Sequence, residues 1–97
     1  MTQKTTVAFS LENGVSDLFR AMWIFETRGV RVTRVDHRPN RSNPIRVVEK
    51  GTGKALHLNY VFVFDLEGSG SDPKVKAALT GLTDIAGFVR VLRSDPV

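Results

Sequence analysis

The chain has 97 residues, of which 41% are hydrophobic and 25% charged, with a formal net charge of +4 and no cysteine. This length predicts one domain, residues 1–97, and the composition is typical of a soluble globular protein. The lack of cysteine excludes disulfides, thiolate metal sites and cysteine nucleophiles. The sequence has no apolar run near the ~20 residues that span a bilayer and no signal-peptide pattern, so we expect a soluble protein without a membrane partner.

The positive charge is concentrated in one region, from Arg28 to Lys54. This region holds eight bases and two acids, whereas the rest of the chain holds six bases and eight acids. It is either a solvated basic strand and loop or a patch for an anionic partner such as nucleic acid. We rank nucleic-acid binding as a distant third function, because the strand near Tyr60 also lacks the R-G-F-G type pattern of RNA-recognition domains.

A strand and an amphipathic helix are the first predicted elements. Residues 5–11 (T-T-V-A-F-S-L) are β-rich and partly alternating, which predicts a strand. Ser16 is expected to cap the helix, Asp17 to lie in its first turn and Gly29 to end it. The apolar stripe of this helix consists of Leu18, Ala21, Met22 and Phe25, and it is extended sideways by Phe19 and Trp23, as core or dimer-interface residues.

The middle of the chain is predicted to alternate between strand and loop. Residues 30–38 form a second strand, with a bulge or change of face near Thr33 and Arg34 because Val35 has the opposite parity to Val32. Residues 39–54 are mostly loop, although Ile45–Val48 could extend a strand. Residues 51–53 (G-T-G) suit the tip of a hairpin.

The second half contains the clearest strand and a second helix. Every second residue from 56 to 66 is leucine or aromatic, which predicts one continuous strand. Asp72 is expected to cap a helix that has Pro73 at its first position, and residues 87–92 form the last strand. The apolar stripe of the second helix consists of Val75, Ala78, Leu79 and Leu82.

The order β-α-β-β-α-β predicts a ferredoxin-like α+β fold, with a four-stranded antiparallel sheet and two helices on one face. The other face is then bare, and Val61 and Val63 are expected to need a partner to cover them. His37 and His57 are too few for a metal site by motif, and no nucleophile motif is present. We therefore predict no catalytic residues, no metal and no cofactor.

Five segments carry a pattern that extends over most of the chain. They are V-A-F-S-L at 7–11, G-V-R-V-T-R-V at 29–35, D-H-R-P at 36–39, S-D-P-K-V-K-A-A-L at 71–79 and F-V-R-V-L-R-S-D-P at 88–96. In order and spacing the set resembles the ACT domain, the small regulatory module of amino-acid metabolism. The resemblance is closest to the phenylalanine-responsive domain of prephenate and arogenate dehydratases of the plant or algal type, which has E-S-R-P where this chain has D-H-R-P.

The resemblance implies a non-catalytic domain that forms a homodimer or higher oligomer and binds L-phenylalanine where two copies meet. It also implies a catalytic dehydratase domain if the chain is part of a longer protein, and a plastid stroma location for the plant type, otherwise the cytoplasm. The ligand would lie between the loop that opens the first helix and the end of the second strand. The ligand-binding residues implied at these positions are Asn13, Val15, Ser16, Asp17, Leu18, Asp36, His37, Arg38 and Pro39.

The chain departs from the family pattern at this site. Val15, Ser16 and Asp17 stand where the family has Pro-Gly-Ala, and His37 stands where it has serine. Asp17 places a carboxylate at the helix N-terminus, where the carboxylate of an amino acid should bind. We therefore expect phenylalanine binding to be weakened. The first alternative function is an ACT-like module that has lost its ligand and only assembles subunits.

Overall fold

Two helices and six strands make up the part of the chain that a computed structural model describes, namely residues 3–13, 15–39, 45–48, 51–53, 55–58 and 60–95. The elements run in the order β1 (Lys4–Ser10), α1 (Val15–Thr27), β2 (Val32–Pro39), β3 (Ile45–Val48), β4 (Ala55–Leu58), β5 (Tyr60–Glu67), α2 (Pro73–Thr83) and β6 (Phe88–Ser94).

Four of the strands form an antiparallel sheet in the order β2-β5-β1-β6. This arrangement with two helices confirms the predicted ferredoxin-like α+β fold. The strands β2 and β6 lie at the two edges of the sheet. Helix α1 contacts β2 and helix α2 contacts β6, so the two helices lie side by side over the sheet.

The strand predicted over residues 56–66 is strand on both sides of residue 59, which lies outside the described residues. Its first part, β4, pairs with β3, and its second part, β5, pairs with β1 and β2. The predicted hairpin tip is confirmed, because Gly51 and Gly53 adopt φ angles of +91° and +70° between β3 and β4. Local alternation predicted the strand but not that its first part pairs with Ile45–Val48 and its second part with β1 and β2.

The core lies between the sheet and the helices. The ring of Phe9 meets that of Phe64 edge to face, with 4.7 Å between centroids, and Phe25 of α1 lies 5.6 Å from Phe64. The helix stripes point into this layer as predicted, with Leu18, Met22 and Leu79 packed at its margin. Its buried members are Val7, Phe9, Leu11, Ala21, Phe25, Val30, Phe62, Phe64, Leu66, Val75, Ala78 and Leu82.

The end of α1 agrees with the prediction, whereas its start does not. The helix begins at Val15, so Ser16 lies inside it and is not its N-cap. At the other end Gly29 has a φ of +73°, its N–H donates to Glu26, and Val30 N–H donates to Phe25. This pair of bonds is a Schellman motif and confirms Gly29 as the residue that ends the helix.

The predicted bulge and the second helix cap are also confirmed. The register between β2 and β5 shifts between Val32 and Arg34. Asp72 is the N-cap of α2, and its carboxylate accepts a hydrogen bond of 2.9 Å from the N–H of Lys74. Pro73 occupies the first helical position, where its missing N–H leaves no hydrogen bond unmade.

The sheet face away from the helices carries polar side chains beside Ala8, Val61 and Val63, and part of it is buried within the chain itself, which corrects the expectation of a bare face. Asp65 is only 6% exposed and accepts a hydrogen bond of 2.7 Å from the hydroxyl of Thr6. Lys4 and Arg34 lie within 3.8 Å of the same carboxylate. Val61 is 6% exposed, so it does not depend on a partner molecule for burial.

Candidate functional site

The two segments expected to form a ligand site lie at the same end of the sheet, on either side of β5. The carbonyl of Tyr60 accepts a hydrogen bond of 3.4 Å from Leu11 N–H, just before the loop that opens α1. Tyr60 also pairs with Pro39, the last residue of β2. Tyr60 thus links the loop after β1 to the end of β2, although the sequence analysis assigned it only to the apolar face of a strand.

The loop that opens α1 is closed by Asp17. Its carboxylate accepts a hydrogen bond of 3.3 Å from the backbone N–H of Asn13, and the N–H of Ser16 donates to the Asn13 carbonyl at 3.3 Å. Asp17 is 6% exposed, while Asn13 and Ser16 are exposed. The nearest cation is Arg20, whose NH1 lies 3.9 Å from the carboxylate on a side chain that is 72% exposed.

The negative charge of Asp17 lies against the backbone amide of Asn13, which could otherwise bind the carboxylate of a ligand. Backbone N–H groups at a helix N-terminus favour anions, and Asp17 already supplies one to Asn13. An exposed ion pair such as that with Arg20 screens the carboxylate only weakly. The Asp17 carboxylate therefore occupies the Asn13 amide in place of the carboxylate of a ligand.

His37 is the residue of the β2 segment that faces the helices. The register pairs it with Phe62, and its imidazole lies flat on that ring, with 4.4 Å between centroids and 5° between planes. The ring of Tyr60 lies beside this pair, with 6.3 Å between its centroid and that of His37. The imidazole of His37 thus packs with the rings of Tyr60 and Phe62 at the end of the sheet. The sequence analysis missed this partnership because strand register decides which rings face each other.

Asp36 lies on the other side of the sheet from His37. It pairs with Val63 in the register, and its carboxylate is 3.6 Å from Arg34 NH2. The predicted site residues of β2 are therefore divided between two faces, and Asp36 is not brought to the loop that opens α1. Leu18 is half-buried at the core margin. The side chains of Val15, Arg38 and Pro39 lie outside the described residues.

Phe19 and Trp23 form an exposed aromatic ridge on α1. They are 77% and 70% exposed, so the expectation of a core position was wrong and the interface position remains. Ile24 faces α2, because a Cβ added to Gly81 would lie 3.2 Å from its Cγ2. At ~100° per residue, Phe19 is about 140° around the helix from Ile24, on the flank away from α2.

This flank lies beside the edge strand β2. Val35 of β2 pairs with Phe64, so it is on the helix-facing side of the sheet, yet it is 44% exposed. We call Phe19, Trp23 and Val35 the β2-side flank. It combines exposed apolar side chains with a strand at the sheet edge, two features typical of surfaces between copies of a chain.

Two arginines of the basic region, Arg28 and Arg34, bind to groups of the chain itself. Arg28 donates to the Ile24 carbonyl and the Thr27 hydroxyl, and Arg34 pairs with Asp36 and Asp65. These contacts favour a solvated basic strand over a patch for nucleic acid. In the described ranges, no helix is long and apolar enough to cross a membrane and no group of acidic and histidine side chains could hold a metal ion.

The known proteins that the chain matches are arogenate and prephenate dehydratases. No family model matches the chain. It is 37% identical over 95 residues to arogenate dehydratase/prephenate dehydratase 1, chloroplastic, of Arabidopsis thaliana, covering 97% of this chain and 24% of that protein. The chain thus spans about a quarter of the length of the curated relatives it matches.

Two solved structures share the fold over nearly the whole chain. A prephenate dehydratase from Arthrobacter aurescens in complex with L-Phe has a TM-score of 0.71 and 31% identity, with coverage of 95% of this chain and 26% of that one. A prephenate dehydratase from Streptococcus mutans has a TM-score of 0.64 and 28% identity, with coverage of 95% and 42%.

The fold and these matches agree with the resemblance of the chain to the small ACT-type domain. More particularly, the chain is a homologue of the regulatory region of the arogenate and prephenate dehydratases, which confirms the resemblance seen in its sequence.

Proposed function

We propose that the chain is an aromatic-amino-acid sensor that binds L-phenylalanine weakly between two copies of itself. The observation that carries this proposal is that the α1 opening loop and the end of β2 lie at the same end of the sheet, on either side of Tyr60. The similarity to a dehydratase region whose solved relative is in complex with L-Phe supports the choice of ligand. In this proposal the chain regulates an arogenate or prephenate dehydratase, in a plastid as for its chloroplastic relatives.

The second copy is proposed to bind on the β2-side flank. Phe19, Trp23 and Val35 are exposed there, and two aromatic side chains supply roughly 300–400 Å² of the roughly 800 Å² that each partner buries in a standard interface. In a two-fold dimer whose axis runs along β2, the end of β2 in one copy lies at the same end of the assembly as the α1 opening loop of the other. An amino acid bound between them then favours the dimer, as feedback regulation requires.

Weak binding follows from Asp17. The incoming carboxylate of an amino acid meets the Asp17 carboxylate at the Asn13 amide, and like charges there oppose each other. The same contact favours a second candidate function, in which the domain binds no amino acid and only assembles subunits. In that case Asp17 permanently occupies the place of the ligand carboxylate.

Titration of the purified chain with L-phenylalanine tests the proposal. Calorimetry and sedimentation are followed together, with D-phenylalanine as the control for stereospecific binding. We expect weak, saturable binding of the L-isomer that strengthens self-association. A stable dimer that gives no heat with any aromatic amino acid would establish the assembly function instead, and a strict monomer at high concentration would contradict both.

A further inference from the structure

A cleft lies between the end of α1 and the start of α2, at the end of the sheet away from the loop that opens α1. Its volume is about 430 Å³, which is within the range of pockets that hold small molecules. Val30 and Val75 line it and are buried in the core, so the cleft rests on a fixed apolar base. Its lining residues all differ from those proposed to bind phenylalanine.

Four charged residues, two of each sign, line this cleft. Arg31 and Lys74 are the cations, and Glu67 and Asp72 are the anions. The backbone N–H of Glu67 donates a hydrogen bond of 2.9 Å to the Arg31 carbonyl, so this anion and this cation are neighbours on adjacent strands. In the part of the chain that the structure describes, however, Arg31, Glu67 and Lys74 take part in no ion pair. The lining is neutral overall, yet its charges do not neutralise one another by contact.

Two glycine turns leave the charged groups of α2 open to the cleft. Gly29 and Gly68 adopt φ angles of +73° and +120°. A Cβ added to Gly29 would lie 4.0 Å from Nζ of Lys74, and one added to Gly68 would lie 3.7 Å from Oδ2 of Asp72. Because neither turn has a side chain, the ammonium and this carboxylate oxygen are not covered from that side. The other oxygen of Asp72, Oδ1, accepts the N–H of Lys74 and caps the helix.

We propose that this cleft binds a free α-amino acid through the two charges of its backbone. The carboxylate binds Arg31 and Lys74, and the ammonium binds Glu67 and Oδ2 of Asp72. An anion without an ammonium would face the two carboxylates of the cleft, and a cation without a carboxylate would face its two bases. A zwitterion satisfies both pairs with charge-assisted hydrogen bonds, which are stronger than neutral ones.

Nuclear magnetic resonance of the isotope-labelled chain tests this site. Glycine is the probe, because it has both charges and no ring for the proposed phenylalanine site. The amide signals of Gly29 and Gly68 report on the cleft. We expect them to shift saturably, with a dissociation constant on the order of 1 mM for an open polar cleft. Acetate and glycinamide each keep one of the two charges, and each is expected to bind at least tenfold more weakly.

Two lysines of α2 supply a matched pair of variants. Lys74 and Lys76 are both exposed, but only Lys74 lines the cleft. We expect Lys74→Gln and Glu67→Gln each to weaken glycine binding about tenfold, and Lys76→Gln to change it less than about twofold. The three side chains are exposed, so the variants are expected to fold as wild type does.

The outcomes separate this inference from the proposed function. If glycine leaves the Gly29 and Gly68 signals in place, or if Lys74→Gln and Lys76→Gln have equal effects, the site is overturned. Acetate that binds as tightly as glycine would also overturn it and would show a simple anion site instead. The phenylalanine sensor stands or falls separately, because phenylalanine is expected to shift the Asn13 amide signal at the opposite end of α1.

Discussion

The carboxylate of Asp17 bonds to the backbone N–H of Asn13 across 3.3 Å, so that the first turn of α1 holds the loop that precedes it. The bond is local, since four residues separate the partners, and the carboxylate is nearly fully buried. It gives the domain a stable helix start and sets a negative charge in the proposed ligand site. On the proposed function, Asp17 therefore favours stability and opposes ligand binding.

Replacement of Asp17 by alanine is expected to lower the free energy of unfolding by about 1 kcal/mol. The change removes the acceptor for Asn13 N–H and a negative charge that favours the helix N-terminus. Urea denaturation measures the difference. Glu26→Gln removes an exposed carboxylate near the other end of the same helix and should leave the unfolding free energy within ~0.5 kcal/mol. Equal losses in the two variants would contradict a special role for Asp17.

The same Asp17→Ala variant is expected to bind L-phenylalanine more tightly than wild type, by about five- to tenfold. It frees the Asn13 amide and removes the like charge that faces the ligand carboxylate. Calorimetric titration of the folded variant gives the affinity. Asp84→Ala, at the C-cap of α2, serves as the charge-matched control and should change nothing. Unaltered or weaker binding by Asp17→Ala would show that the carboxylate is no obstacle.

Phe19→Glu is expected to weaken self-association at least tenfold without unfolding the domain. Its ring is 77% exposed, so the free energy of unfolding of a monomer hardly depends on it, while an interface on the β2-side flank would bury the new charge. Analytical ultracentrifugation measures the dimer constant. Leu92→Glu makes the same kind of change on β6 at the opposite sheet edge, where 55% of the leucine is exposed. Greater disruption by Leu92→Glu would move the interface to that edge.

Gly70→Ala is expected to destabilise the loop between β5 and α2 by about 1–3 kcal/mol. A Cβ at this position would lie 2.6 Å from the hydroxyl oxygen of Ser94, which accepts a hydrogen bond from the N–H of Gly70 itself. The clash would push β6 away from the loop. Thermal unfolding of Gly70→Ala in a Ser94→Gly background supplies the test, since the cost should shrink when the opposing side chain is absent. A cost that persists there would indicate backbone strain instead.

Some features of this domain could be predicted from local chemistry. The helix stripes, the Gly29 terminus, the Asp72 cap and the bulge near Arg34 depend on neighbours within a few residues, and the structure agrees with all of them. The ferredoxin-like arrangement followed from the order of the elements. The resemblance to ACT domains added the two segments of the proposed site.

Other features depend on contacts between residues that are distant in sequence. Alternation over residues 56–66 predicted strand but not its partners, which are β3 for residues 55–58 and β1 and β2 for residues 60–67. Phe19 and Trp23 extend an apolar stripe in the sequence, but the placement of α1 over the sheet leaves both exposed.

Local sequence was enough for the order of the elements, the end of α1 and the cap of α2, because glycine turns, helix caps and apolar periodicity act over short distances. Alternation along β2 also puts Asp36 and His37 on opposite faces, but only contacts between strands showed that His37 is the one against Phe62. The physical reason is register: the bulge in β2 sets which residues of that strand oppose β5, and side chains alternate between faces from there to the end of the strand.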